Sequence, residues 1–200
     1  MKENSMEEQK ERKVEDIRAD ALVEGCPVRQ ALSYVSGFLE GPMCGRCMPC
    51  SLGVFEARLR LEKIARGLGS PGDLVALRRI AGDMLEASMC KKGKDTACFM
   101  LEWIQAEAFG PHMEGRCPGK LCEALIEYRV DPLKCSMCGL CREACAHGAI
   151  FGEKRKPFMN GYPPFEIRQK RCVKCGECLK VCPDGAIEIV DAAMHAEAGG

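Results

Sequence analysis

The sequence predicts an α+β chain, with a small helical bundle over residues 26–110 and a mixed helix–strand domain over residues 131–190. Three observations carry this. Apolar residues recur at helical spacing through residues 28–103. Further on, CSMCGLCREACAHGAI from Cys135 is repeated as CVKCGECLKVCPDGAI from Cys172. Each copy reads as a cysteine loop, a short helix (142–144 and 179–181) and a Gly-Ala-Ile strand start. Finally, a C-x2-C-x2-C triplet occurs three times, once in the bundle and once in each copy of the repeat.

The elements follow in chain order. Residues 1–25 form a charged arm: seven acids and five bases in the first twenty positions predict a solvated tail or an arm on a partner. Val28, Leu32, Val35 and Leu39 mark a first helix, and Leu59, Leu61, Ile64 and Leu68 a second. Ser70-Pro71-Gly72-Asp73 opens a third, with serine at the N-cap, proline at the first helical position and an acid two further on. Leu74, Leu77, Ala81, Met84 and Leu85 line one face of that helix, which ends at Met89-Cys90. A fourth is predicted over 99–109, stopped by Gly110-Pro111. Residues 111–130 are a connector, the repeat fills 131–190, and 191–200 are a flexible tail.

Sixteen cysteines in 200 residues would suit a disulfide scaffold in a secreted protein. The polar start MKENSMEEQKERK has no apolar signal region, and no apolar run approaches the roughly 18 residues of a spanning helix. The expectation is a cytoplasmic, reducing setting without a membrane span. Net charge is zero with bases scattered among acids, which leaves no footprint for nucleic acid.

Each triplet has a fourth cysteine to close a set: Cys44, Cys47 and Cys50 with Cys90; Cys135, Cys138 and Cys141 with Cys145; Cys172, Cys175 and Cys178 with Cys182. A tight turn of this spacing aims three thiolates at one point, which suits an iron–sulfur cubane better than a disulfide. Structural zinc knuckles would leave the third cysteine of each triplet idle. Three [4Fe–4S] clusters are expected, and with them electron transfer. Gly67-Leu68-Gly69-Ser70-Pro71-Gly72 fits G-x-G-x-x-G but follows a helix and carries proline where a phosphate-binding N–H is needed, so it is rejected. His147 and His195 read as surface residues. Met43, Met48, Met89 and Met137 beside cluster cysteines read as shields against water.

The C-terminal C-x2-C-x2-C-x3-C runs, the second followed by Pro183, resemble the bacterial two-cluster ferredoxin. The resemblance implies that the fourth cysteine of each run serves the other cluster. One cluster would take Cys135, Cys138, Cys141 and Cys182, and the other Cys172, Cys175, Cys178 and Cys145; Ala146 departs from the proline usual after the first run. Cys44-Gly45-Arg46-Cys47-Met48-Pro49-Cys50, followed after thirty-nine intervening residues by Cys90, resembles the C-terminal cluster domain of the NADH-binding, flavin-carrying subunit of respiratory complex I; Ser51 departs from that family's arginine. His112, Cys117-Pro118-Gly119-Lys120-Leu121-Cys122 is similar to the tail of flavin subunits in bifurcating NAD-linked hydrogenases. Histidine and two cysteines at these spacings suit tetrahedral zinc. Cys26 or Cys98 would be the fourth ligand, and the hydrogenase resemblance favours Cys26. Such a zinc would pin the connector to the bundle.

The flavin- and NADH-binding domain that precedes the cluster bundle in that family has no counterpart in these 200 residues. The chain is therefore expected to be no enzyme by itself but a relay subunit, linking a large catalytic oxidoreductase subunit to ferredoxin or a flavin subunit. The overall plan looks like anaerobic electron-transfer subunits. The first expectation within that group is the partner of a tungsten- or molybdenum-pterin enzyme of the ATP-independent benzoyl-CoA reductase type. A bifurcating NAD-linked hydrogenase or a formate dehydrogenase is the alternative, and a zinc-stabilised interaction module is the alternative of another class.

Overall fold

The computed structural model describes residues 12–105, 107, 109–155 and 163–192. The chain divides into two compact units, Met1–Gly119 and Lys120–Gly200. In the first, the described residues form helices α1 (Val14–Val23), α2 (Pro27–Glu40), α3 (Met48–Ala65), α4 (Pro71–Ala87), α5 (Lys91–Ile104) and α6 (Phe109–Met113). Each of α1 to α4 packs on the next, α2 also meets α5, and α6 meets α3. Proline sits at the first or second position of α2, α3 and α4, where its missing N–H costs no helical hydrogen bond.

The charged arm expected over 1–25 is a helix in its second half. Val14, Ile17 and Ala21 stand at i, i+3 and i+7 of α1 and are buried. Gly37 of α2 admits the contact, because a Cβ there would lie 2.8 Å from Ile17 Cγ2. Three apolar residues at helical spacing suffice to bury a face, and the dense charges between them obscure the pattern. One of those charges, the Arg18 guanidinium, lies 3.9 Å from the centroid of the Phe99 ring.

The helix expected over 99–109 starts earlier, since α5 begins directly after its N-cap Cys90. Gly110 and Pro111, expected as a stop, lie inside α6, whose first turn tolerates proline. Tyr34 fixes α2 on α5: its ring centroid is 5.1 Å from Phe99 and 5.2 Å from Trp103, both edge-on. Burial pushes the Tyr34 phenol up to about 12, against the hydrogen bond with Thr96.

The second unit is built on two short antiparallel pairs. Strand β1 (Ile126–Val130) pairs with β4 (Ile187–Asp191), and β2 (Ile150–Phe151) with β3 (Glu166–Ile167). Helices α7 (Leu140–Ala144) and α8 (Glu177–Val181) pack on each other. The connector expected to run to residue 130 therefore ends early, because β1 belongs to this sheet. Its alternation buries Ile126, Tyr128 and Val130. The internal repeat is longer than the cysteine runs: Val130 precedes Cys135 by the same five residues that separate Ile167 from Cys172. Of the tail expected over 191–200, only Asp191 and Ala192 are described, and Asp191 closes β4; His195 lies outside the described residues.

The predicted start of α4 is present in atomic detail. The buried Asp73 carboxylate accepts hydrogen bonds from the Ser70 N–H and hydroxyl, both at 2.8 Å, and from Lys63 Nζ and Arg60 Nη1, both at 2.9 Å. Burial opposes its ionisation, but these donors prevail and hold the carboxyl at about 2. A folded-state value below the ordinary one stabilises the fold above the ordinary range, and the gain is lost as pH falls toward the lowered value. Asp73→Asn should cost about 2 kcal/mol at pH 7, moderated by the half-exposed partners. Urea denaturation should give the same loss at pH 5, with the gap narrowing only below the normal carboxylate range. A gap that widened on acidification would contradict this account.

Candidate metal centres

Two helix N-termini build the bundle site. Cys47 is the N-cap of α3, Cys50 lies in that helix's first turn, and Cys90 is the N-cap of α5. Gly45 turns the loop with φ 67°, which a side chain at that position would disfavour. Burial pushes the Cys50 thiol up to about 11, reinforced by the charges of Cys47, Cys90 and Cys44. The four sulfurs expected in one set are therefore neighbours. Cys47 and Cys50 are buried, Cys90 is half-buried and Cys44 is exposed. Thiolates at helix N-termini meet the positive end of each macrodipole.

Two residues of this site were not read from the sequence. A Cβ on Gly93 would meet Ser88 Cβ and Oγ, both at 2.9 Å, and Cys50 Sγ at 3.4 Å. Glycine is thus what lets α5 approach the cysteines. Ser88 itself is buried, and its hydroxyl has no hydrogen-bond partner among the described residues. Helical periodicity gives no signal for either, since neither faces the bundle core as a large apolar side chain.

The second unit carries two sites, related by the repeat. Met137 and Lys174 both take φ 58°, and Gly139 and Gly176 follow at φ 83° and 79° as the N-caps of α7 and α8. Each loop thereby curls its cysteines inward. Cys145 and Cys182 end α7 and α8, and each Sγ accepts a backbone N–H at 3.3 Å, from Ala149 and Ala186 respectively.

The fourth cysteines are exchanged between the runs. Cys135, Cys138, Cys141 and Cys182 line one cavity together with Phe165. Cys172, Cys175, Cys178 and Cys145 line the other together with Tyr128. Tyr128 and Phe165 occupy equivalent repeat positions, so each half sends an aromatic to the other half's cysteine loop. Burial pushes the Cys178 thiol up to about 11, with Cys172 adding to it. Cys141 is raised by burial and by Cys135, Cys138 and Cys182, against a backbone hydrogen bond from Arg142. His147, expected as a plain surface residue, is exposed but borders the cavity of Cys172.

A third kind of site gathers Cys26, His112, Cys117 and Cys122, whose ligand atoms all lie within 4.8 Å of one another. All four side chains are buried, and Cys26 Sγ is 3.4 Å from His112 Nε2. Cys26 is the N-cap of α2 and His112 lies in α6. Cys98, the alternative fourth ligand, is exposed on α5 and outside this group. A tetrahedral zinc with thiolate and imidazole ligands spaces its donor atoms by roughly 3.5 Å, so the donor set fits the ion. No disulfide joins any of the sixteen cysteines.

Residues 30–114 match the NADH-ubiquinone oxidoreductase-F iron-sulfur binding region, and residues 134–187 match the 4Fe-4S dicluster domain. The chain is 31% identical over 132 residues to the NADP-reducing hydrogenase subunit HndC of Solidesulfovibrio fructosivorans, covering 63% of this chain and 27% of that protein. It is 35% identical over 107 residues to the NADP(+)-dependent formate dehydrogenase subunit beta of Moorella thermoacetica, covering 50% of this chain and 15% of that protein. The matches thus span about a quarter or less of these relatives' length. Both resemblances read from the cysteine motifs are borne out: the α+β chain joins a complex I-type iron–sulfur region to a two-cluster [4Fe–4S] domain.

The exchange of cysteines can be tested by substitution. Cys182→Ser should remove the iron at Cys135, Cys138 and Cys141 and spare the bundle, whereas Cys47→Ser should empty the bundle alone. Iron analysis with electron paramagnetic resonance of the reduced variants separates these outcomes. Loss of the Cys172-containing site in Cys182→Ser would mean that each run keeps its own fourth ligand.

Proposed function

We propose that the chain is an iron–sulfur relay subunit of an oxidoreductase complex, holding three [4Fe–4S] clusters and one structural zinc. The observation that carries this reading is the grouping of twelve cysteines by fours, including the exchange of Cys145 and Cys182 between cavities. Cys44, Cys47, Cys50 and Cys90 hold the bundle cluster. Cys135, Cys138, Cys141 and Cys182 hold the second, and Cys172, Cys175, Cys178 and Cys145 the third. When bound, such clusters supply one-electron couples, with ferredoxin-type centres near roughly −400 mV.

The protein's part is to hold these sites, keep them dry and set their potentials. Tyr128 and Phe165 close the two ferredoxin cavities with apolar rings. Ala149 and Ala186 donate N–H groups to thiolate sulfurs, which favours added negative charge there. Lys91, Lys92 and Lys94 open α5 next to Cys90. Three cations in a helix's first turn oppose its dipole, and an anionic centre beside them offsets that cost. Cys26, His112, Cys117 and Cys122 hold a zinc with no open position, which ties the start of α2 to the α6 turn and takes no part in electron flow.

The chain itself turns over no substrate, and both matched regions are iron–sulfur regions. Its partner is a catalytic oxidoreductase subunit, with ferredoxin or a flavin subunit on the other side of the relay. The names of the two relatives favour a hydrogenase or a formate dehydrogenase as that partner. Neither name points to a benzoyl-CoA reductase, so the tungsten-enzyme expectation ranks second. A cytoplasmic setting accords with so many reduced cysteines; no helix among the described residues is long and apolar enough to cross a membrane.

Anaerobically isolated protein should contain about twelve iron per chain and roughly one zinc. Iron near eight would remove one cluster, and absence of zinc would leave the buried Cys26 group without its assigned role. The isolated chain should accept electrons from dithionite yet oxidise neither NADH nor NADPH. Steady pyridine-nucleotide oxidation by the purified chain would defeat the relay reading.

A further inference from the structure

Ser88 closes α4 as its C-cap, with φ −67° and ψ 133°, and its backbone N–H reaches Met84 O at 3.0 Å. Its residue surface is only 4% exposed. A serine near a helix end ordinarily spends its hydroxyl on a nearby backbone carbonyl or on water. Here Oγ has neither a backbone nor a side-chain partner among the described residues. A buried hydroxyl left so carries a desolvation penalty, and native proteins seldom retain one without a reason.

The reason lies across Gly93. The point where a Cβ would stand is 2.9 Å from Ser88 Oγ and 3.4 Å from Cys50 Sγ. Hydroxyl and thiol therefore border one small space, kept clear by the missing side chain. A buried hydroxyl donor beside Cys50 has a natural acceptor once that thiolate helps to hold a cluster.

We propose that Ser88 donates an O–H···S hydrogen bond to the cluster held by Cys44, Cys47, Cys50 and Cys90, at the thiolate of Cys50 or the sulfide next to it. This rests on the reading that those cysteines hold a cluster. Reduction adds one electron and makes the sulfurs more negative, so the bond is stronger in the reduced state and raises the midpoint potential. Ser88 is thus a tuning residue, which makes the bundle cluster a better electron acceptor than its ligands alone would. No bond is broken and no proton leaves the serine.

The test is a redox titration of the full chain followed by electron paramagnetic resonance, with the bundle signal identified as the one that Cys47→Ser removes. Ser88→Ala should shift the bundle midpoint to more negative potential and leave the other two clusters unmoved. Ser88→Thr, which keeps the hydroxyl, should restore the wild-type value. In wild type, transfer to D2O should add an exchangeable deuteron coupling to the reduced bundle cluster that Ser88→Thr retains and Ser88→Ala lacks. An unchanged midpoint in fully loaded Ser88→Ala overturns the proposal while the cluster assignment stands. Should Ser88→Ala load poorly, Ser88→Gly removes the hydroxyl without added bulk and is read in the same way. If neither variant loads the site, a wild-type coupling no stronger than backbone N–H deuterons give overturns it. Wild-type protein with only about eight iron would instead sink the underlying cluster assignment.

Discussion

Crowded sulfur is the constraint on which this protein depends. Twelve thiols are drawn into groups of four, and at Cys50, Cys141 and Cys178 burial and neighbouring cysteines resist ionisation. Cys50 and Cys178, each pushed to about 11, record that resistance. A thiol must lose its proton to bind metal, so the energy for gathering these residues has to come from the bonds they make. The bundle has a broad apolar core, including Val28, Phe38, Leu61, Leu77 and Met100, whereas the second unit has only a few strand residues around Tyr128 and Phe165. On the proposed cluster reading, folding of the second unit, with its five-residue helices and two-residue strands, would be coupled to metal loading.

Backbone geometry meets this constraint in two ways. In the bundle, long helices offer their N-termini, and the sulfurs of Cys47 and Cys90 sit where unsatisfied N–H groups and the macrodipole favour negative charge. In the second unit, helices of five residues have little dipole to offer, and left-handed turns at Met137–Gly139 and Lys174–Gly176 curl the loops instead. The first solution needs many residues for one site. The second is compact enough to be repeated.

The sequence made the metal chemistry more legible than the architecture around it. Thiolate spacing is local and chemically specific, so the triplets could be read directly, and the cap Ser70–Asp73 follows from side-chain hydrogen bonding within one turn. The exchange of Cys145 and Cys182 came only through resemblance, because spacing cannot say which loop a fourth sulfur will face. Helix α1 was hidden by its charges, although Val14, Ile17 and Ala21 are enough to bury it. Strand β3 is too short for alternation to stand out, and the alternation of β1 was hidden inside the stretch read as connector; their place shows only when the repeat is extended upstream of the cysteines. Ser88 and Gly93 left no pattern at all, since their importance comes from the close approach of the first turn of α5 to the end of α4 and to Cys50 of α3.

The traded cysteines have a consequence for how such a unit could have arisen. On the proposed ligation, neither half of the repeat contains a finished site: alone, each would present three sulfurs in its loop and a fourth aimed elsewhere. An ancestral half-length peptide of this design would have been complete only against a second copy of itself, each lending its last cysteine to the twin. Joining two copies in tandem would turn a dimer interface into an interior, freeing the halves to drift apart in side chains while the trade between them held. Met137 opposite Lys174 and His147 opposite Asp184 are the kind of divergence that such a union permits.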